Sequence, residues 1–356
     1  MENTLKNEVL AVVNTLKGMG KQKLASCIEE NWNKNALAYS RELNSYRPEH
    51  PMEPELRSAF SKELDRLEVM EPKKSKILDS LQRRRILQTA PHLGVTESPR
   101  MLCINWLGSL GVAEEDFYVV GMFSGIPFSN SSRPGRINRE KDAVNLFPSS
   151  MQDDLVFRSF IPEKLVDSVA KLPDKLKNLL PSAKVGDSYT KWALASCSNI
   201  EKKILEKENL VYLDINEVVA NYLEGIKAKP DHPMNKIKEL SEIFPDENLF
   251  HKNNPDCPGL LVTFLALTFL NGFKCFGSFR QVEYLPEYQE KLAKLDFLKK
   301  FNVEKVPTSN LTTGSFYPLE VYPADIILGE KFKLDENILF GELLTSPSMK
   351  KILYEE

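Results

Sequence analysis

The stretch RRRILQTAPHLGVTESPRMLCINWLGSLG, residues 83–111, followed almost at once by DFYVVGMFSG, residues 116–125, constrains the fold more than any other part of the chain. A short apolar run from Ile86 to Thr89 ends in a loop, Ala90 to Glu97, and a second apolar segment then continues to Leu110. Ser98 suits a helix N-cap, Pro99 suits the first helical position, and Gly111 follows the last apolar residue, which is the start and stop chemistry of a helix. DFYVVGMFSG reads as a second buried strand. Strand, loop, helix and strand make one βαβ unit, the minimal piece of a parallel sheet with helices on its faces.

The flanking segments read as mostly helical. Leu5, Val9, Leu10, Val13, Leu16, Leu24 and Ile28 recur at helical spacing, broken by Gly18 and Gly20, so two amphipathic helices are expected before residue 32. SYRPEHPMEPEL, 45–56, carries three prolines and reads as a connector, after which SAFSKELDRLEVM returns to a helical period. Residues 161–208 look helical apart from breaks near Pro181 and Gly186, and NLVYLDINEVVANYLEGI repeats the strand-into-helix pattern. The run PGLLVTFLALTFLNG, 258–272, falls short of the ~20 residues a spanning helix needs and reads as a buried helix. SFYPLEVYPADIIL, 315–328, is expected to alternate short strand-like pieces with turns.

Composition narrows the function classes. The 356 residues are 42% hydrophobic and 27% charged, which is enough apolar material for a substantial core. A net charge of −3 supplies no global field toward nucleic acid or an anionic membrane, and neither partner is expected. Cys27, Cys103, Cys197, Cys257 and Cys275 are odd in number and contain no CxxC pair, so neither a disulfide framework nor a structural zinc site is expected. The N-terminal residues lack a compact apolar core with a small-residue cleavage site, and a cytoplasmic location is expected.

In open α/β sheets, ligands bind outside the carboxyl ends of strands, where loop amides and helix N-termini face a crevice. The loop after the first strand carries His92, Gly94, Thr96 and Glu97, with Arg100 just inside the helix. Gly94 permits close backbone approach, the free N–H groups near Ser98 favour an anion, and His92 can shuttle protons near neutral pH. The second strand runs into SGIPFSNSSRPGRINREK, 124–141, where Ser124, Ser129, Asn130, Ser131 and Ser132 offer hydroxyl and amide groups. Arg133, Arg136 and Arg139 add charge that can pair with carboxylate or phosphate. Consecutive strands of a parallel unit should bring both loops over one crevice. In CFGSFRQVEYLPEY, 275–288, Gly277 and Ser278 allow a tight turn, Gln281 and Tyr284 could read a substrate, and Glu283 could act as a base.

Taken together, these segments resemble the cysteine-adding enzyme family of bacillithiol synthesis. That family carries an early Thr-Gly-Gln-Gln-Pro-Gly-Leu-x-x-Gly-Pro motif. Here TAPHLGVTESP keeps Thr89, Gly94 and Pro99 in register, with Val95 for leucine and small residues at Ala90 and Ser98. The family's later Gly-Gly-Pro-Gly-Glu-Ile-x-Tyr motif is echoed by GSFRQVEY, where Gly277, Val282 and Tyr284 fall in register and Gln281 replaces the glutamate. Ser-Gly-Ile-Pro-Phe-Ser-Asn stands where the family has a Glu-Asp-His-Asp cluster, so no acid/base cluster is carried over there. The resemblance implies a Rossmann-like core, and together with the patterns above the expected fold is α/β: a Rossmann-like parallel-sheet core at 83–356 with a helical insertion around 161–250, and a helical N-terminal region at 1–82 packed on it.

The expected activity is that of a small-molecule biosynthetic enzyme, a ligase or transferase that joins or transfers an amino-acid-like group to a polar or anionic substrate. His92 and Glu97 are the expected catalytic residues. Thr89, Gly94, Thr96, Arg100, Ser124, Ser129, Asn130, Ser132, Arg133, Arg136, Gln281 and Tyr284 are expected to bind substrate. The cofactor is left open: no GxxxxGK[ST] loop is present, so any nucleotide would be held differently. A homodimer is allowed. The alternative is a non-catalytic protein that keeps the fold and binds a small ligand or a partner. A metal hydrolase built on His92, Glu97 and His232 or His251 is disfavoured, because four scattered histidines show no HxxxH or HExxH spacing.

Overall fold

The computed structural model describes residues 2–49, 51–301, 303–308 and 318–355. In chain order its strands are β1 (Ile86–Gln88), β2 (Tyr118–Met122), β3 (Arg136–Asn138), β4 (Ala143–Asn145), β5 (Leu210–Asp214), β6 (Phe250–His251), β7 (Asn254–Pro258) and β8 (Lys274–Phe276). Four of them form one parallel sheet in the order β5-β2-β1-β8. Tyr118 to Met122 pair with Leu210 to Asp214, Gln88 pairs with Val120, and Ile86 to Gln88 pair with Lys274 to Phe276. The pairs β3–β4 and β6–β7 are antiparallel two-stranded ribbons outside that sheet.

Side chains alternate along a strand, so a strand apolar at every position must be covered on both faces. Tyr118, Val120 and Met122 of β2, Leu210 and Tyr212 of β5, Ile86 of β1 and Phe276 of β8 enter one buried cluster. Val119, Val211, Leu213, Leu87 and Cys275 enter a second. The first face is covered by the helices Glu2–Gly18, Gln22–Asn31, Ala36–Leu43, Pro99–Leu110 and Tyr189–Leu205. The second is covered by the helices Pro54–Arg66, Lys73–Arg84 and Ile215–Ile226 and by the apolar run after Gly259. The result is a Rossmann-like three-layer α/β core.

The N-terminal helices do not sit together on one side. Three lie on the first face and two on the second, and the chain between Leu43 and Pro54 crosses from one to the other. Tyr46 Oη donates to the Gly272 carbonyl at 2.8 Å and the Glu53 amide donates to Asn271 Oδ1 at 2.8 Å, which ties this crossing to the turn before β8. Residues 161–250, expected as a helical insertion, also deliver β5, the sheet's edge strand beside β2. The run at 258–272 is the expected buried helix, Leu260–Phe264, which widens into a π-helical turn over Leu265–Leu270. The expected strand-like pieces at 315–328 give instead a helix, Pro323–Leu328, with Pro at its first turn, while 315–317 lie outside the described residues. No helix among the described residues is long and apolar enough to cross a membrane.

Gly111 ends helix Pro99–Leu110 for a reason other than conformational freedom, since its φ is −87°. A Cβ there would lie 2.5 Å from the Arg41 amide nitrogen and 2.6 Å from the Ser40 carbonyl carbon. The helix end is pressed against the backbone of helix Ala36–Leu43, and the Gly111 amide donates to Ser40 Oγ at 2.8 Å. Backbone cannot move aside as a flexible side chain can. Gly111→Ala should therefore cost about 2–4 kcal/mol in urea unfolding, whereas Gly18→Ala, which meets open space, should leave stability nearly unchanged. Equal effects of the two substitutions would contradict this packing.

Candidate functional site

Pairing of β1 with β2 extends beyond both strands. The Phe123 amide donates to the Pro91 carbonyl at 2.9 Å, and the Leu93 amide donates to the Phe123 carbonyl at 2.8 Å, so the loop after β1 is clamped to the end of β2. The loop after β2 folds back over it. Gly94 lies against Pro134, and the Asn138 amide donates to Thr96 Oγ1 at 3.1 Å. His92 Nδ1 lies 3.2 Å from Asn130 Oδ1. The two loops expected to share one crevice therefore meet at the carboxyl ends of β1 and β2.

The hydrogen bonds around Asn130 assign the His92 tautomer. Asn130 Oδ1 also accepts from the Ser132 amide at 3.0 Å and from Ser132 Oγ at 2.8 Å, so it presents an acceptor to the imidazole. Nδ1 then carries the proton and Nε2 carries the lone pair. No described residue hydrogen-bonds Nε2. Burial lowers the His92 pKa and the Asn130 contact only partly opposes it, so the ring is neutral at neutral pH. Next to it Arg133 has a left-handed backbone, φ 56°, with its amide donating to the Asn130 carbonyl at 2.8 Å. Its exposed guanidinium has no partner among the described residues. Arg136 opens β3 a few residues on, and Ser129 and Ser132 are exposed on the same loop.

Other expected site residues face inward. Thr89 Oγ1 donates to the Phe276 carbonyl at 2.9 Å, and Gln281 Nε2 donates to the Cys275 carbonyl at 2.5 Å. Both are buried and close the gap between β1 and β8, where the strand order reverses. A Cβ at Gly277 would fall 1.6 Å from Gln281 Oε1, so any larger residue there would displace the Gln281 side chain. Ser124 Oγ donates to Asp214 Oδ1 at 2.7 Å and is fully buried. Glu97 is 5% exposed, with Oε1 unpartnered, and burial together with nearby Glu201 raises its pKa well above the usual carboxylate range. Its side chain turns from the loop into the core. Tyr284 packs on the Phe264 and Tyr288 rings, and Glu283 accepts from the Leu24 amide at 3.0 Å, fastening the second helix. Arg139 pairs with Asp325 at 3.0 Å and Asp142 at 3.1 Å. Arg100 stands at the start of helix Pro99–Leu110. His232 contacts Glu53 at 3.2 Å, and His251 Nδ1 accepts from the Asn253 amide, so neither histidine joins His92.

Sequence reasoning missed a polar network at the end of β5. Asp214 caps helix Ile215–Ile226 by accepting from the amides of Asn216 and Glu217. The Asp214 amide donates to Glu63 Oε1 at 3.0 Å, and Arg66 grips Glu63 in a two-point pair at 2.7 and 2.8 Å. Arg66 reaches a cavity of about 740 Å³ beside β5, also lined by Lys73, Lys191, Trp192, Asn199 and Lys202. The capping aspartate in YLDINE was a usable signal. Its partner Glu63, 151 residues away, was not.

Compared with models of known protein families, with curated proteins and with solved structures, the chain matches none of them.

Burial and then the Glu63 carboxylate push Asp214 up to about 7. Against about 3.9 in an unfolded chain, the folded state holds the extra proton across that window. This contribution to stability is complete below about pH 4 and is lost as pH rises through about 7. Asp214→Asn keeps the helix cap and removes the titration. Urea unfolding at about pH 5 and about pH 7.5 should show a smaller loss in the variant than in the parent chain; equal losses would exclude Asp214 as the source.

Proposed function

We propose that the chain is a small-molecule enzyme of the group-transfer class, a ligase or transferase acting at the carboxyl ends of β1 and β2. The observation that carries this reading is the His92–Asn130 hydrogen bond. A neutral imidazole held with its proton on Nδ1 has one task open at Nε2, which is to take a proton from a nucleophilic amine or hydroxyl. Arg133, with Arg136 beside it, supplies a guanidinium for the carboxylate or phosphate of the substrate, which orients the nucleophile toward His92. An amino-acid-like group meets both requirements, as the resemblance to the bacillithiol cysteine-adding family implies. Thr89 and Gln281 fill the gap between β1 and β8, so a nucleotide, if one is the activating cofactor, would be held on the Arg133 side. The setting is a cytoplasmic chain acting on a small molecule without nucleic acid or membrane.

A second reading, a ligand-binding protein without catalysis, is favoured by one observation: Glu97 and Ser124 are both buried, which leaves His92, of the residues expected to act there, as the acid/base group facing the site among the described residues.

Thermal-shift and turnover measurements with nucleotides, amino acids and amino sugars test both readings. A ligand of the site should raise the melting temperature of the parent chain. His92→Ala and Arg133→Ala should abolish that rise while their own melting temperatures stay within about 3 °C of the parent, because the half-buried His92 and the exposed Arg133 lie on loops outside both apolar clusters. Binding that depends on Arg133 but is never accompanied by turnover would select the second reading. Unfolding of either variant would show that these residues are scaffold.

A further inference from the structure

A second site lies at the opposite end of the sheet. Lys274 is the first residue of β8 and pairs with Ile86, the first residue of β1, so it sits at the amino ends of the parallel strands. The residue is 7% exposed, yet Nζ has no hydrogen bond or ion pair with any described residue. The Phe276 ring, centred 5.6 Å away, offers the ammonium only a weak attraction. A cavity of about 320 Å³ opens on Lys274 and is lined by Cys27, Glu30, Tyr39, Glu42 and Tyr46 among others. An amine that is buried, unpartnered and facing a cavity is costly to keep charged and has no structural task to explain it.

We propose that this cavity is a binding site in which the Lys274 amine captures a small, uncharged aldehyde or ketone as a reversible imine. The Nζ lone pair attacks the carbonyl carbon as the C=O π bond opens, giving a carbinolamine. Loss of water, which carries off the carbonyl oxygen and two hydrogens that began on nitrogen, leaves the C=N bond, and hydrolysis reverses the sequence. No oxidant or reductant is needed.

Burial brings Lys274 down to about 8, opposed weakly by Glu42 and Cys27. At about pH 7.5 roughly a quarter of the molecules then carry the free amine, against about one in a thousand for a surface lysine titrating near 10.4. The groups facing the amine set the substrate's charge. Tyr39 and Tyr46 are raised above the ordinary phenol value, mainly by burial, and remain protonated. Glu30 and Glu42 place carboxylates at the mouth, and Glu42 is paired with Lys34. This lining disfavours an anionic carbonyl compound such as a keto acid.

The test uses the full chain with glycolaldehyde and cyanoborohydride at about pH 7.5, followed by peptide mass spectrometry that measures the labelling rate of every lysine. Lys274 should react about tenfold or more faster than the median surface lysine, with half-maximal rate near pH 8, where surface lysines are still climbing. Reaction at or below the surface median would overturn the proposal, and this readout needs no variant. Lys274→Met should remove the fast adduct; a fast adduct that persists in that variant would place the reactive amine elsewhere. Glyoxylate, an aldehyde of similar size that bears a carboxylate, should lose the Lys274 preference seen with glycolaldehyde. An equal preference for both would overturn the assignment to uncharged substrates.

Discussion

Double-sided burial of four short parallel strands is the constraint from which the rest of the structure follows. Each strand alternates its side chains between two apolar clusters, so helices are needed above and below the sheet. The chain meets this early: its first three helices take one face and the next two take the other. The segment between them must then pass around an edge of the sheet. It does so beside β8, held by Tyr46 to Gly272, by Glu53 to Asn271, and by the Arg84 guanidinium, which donates to Asn44. Ser45 and Tyr46 of that passage also line the Lys274 cavity. The crossing that completes the three-layer core thus builds the wall of a cavity at the same time.

What was legible in the sequence was local. Ser98, Pro99 and the apolar turns after them define a helix whose signals lie within a few residues of one another, and Ser98 Oγ does accept from the Met101 amide at 3.3 Å. β1 and β2 were readable because a short apolar run between loop residues has few other solutions. β8 was not, because Lys-Cys-Phe opens with a charge and carries too few residues to show a period. The place of β5 at the sheet edge was equally hidden, since register with β2 is a long-range property with no local mark. Gly111 shows a subtler case: its position was read correctly, but the cause is the backbone of Ser40 and Arg41, some 70 residues earlier in the chain.

The candidate site divides along the same line. His92 and Asn130 lie on loops at the ends of adjacent strands, so topology alone brings them together. Glu97 and Ser124 share those loops and turn inward, and loop side chains have no periodicity from which direction can be read. The core near Glu97 holds a second buried carboxyl. Glu201 accepts from Asn105 at 2.9 Å and from Tyr212 at 2.5 Å, and Glu97 stands beside it. Burial raises both carboxyls, and neither is among the groups that shift His92. Desolvation of the ring is opposed only in part by the Asn130 contact, and it keeps His92 neutral and its Nε2 lone pair available.

The two ends of the sheet consequently present opposite electrostatics. At the carboxyl ends of β1 and β2, the neutral imidazole stands by the loop that carries Arg133 and Arg136, two cations that would favour an anion. At the amino end of β8, a deprotonatable amine is flanked by Glu30 and Glu42 and repels them. Surface charges separated by more than the ~8 Å screening length at physiological ionic strength act almost independently, so neither end needs to compensate the other. A ligand suited to the site proposed at one end would then be disfavoured by charge at the other, and a net charge of only −3 supplies no global field favouring either.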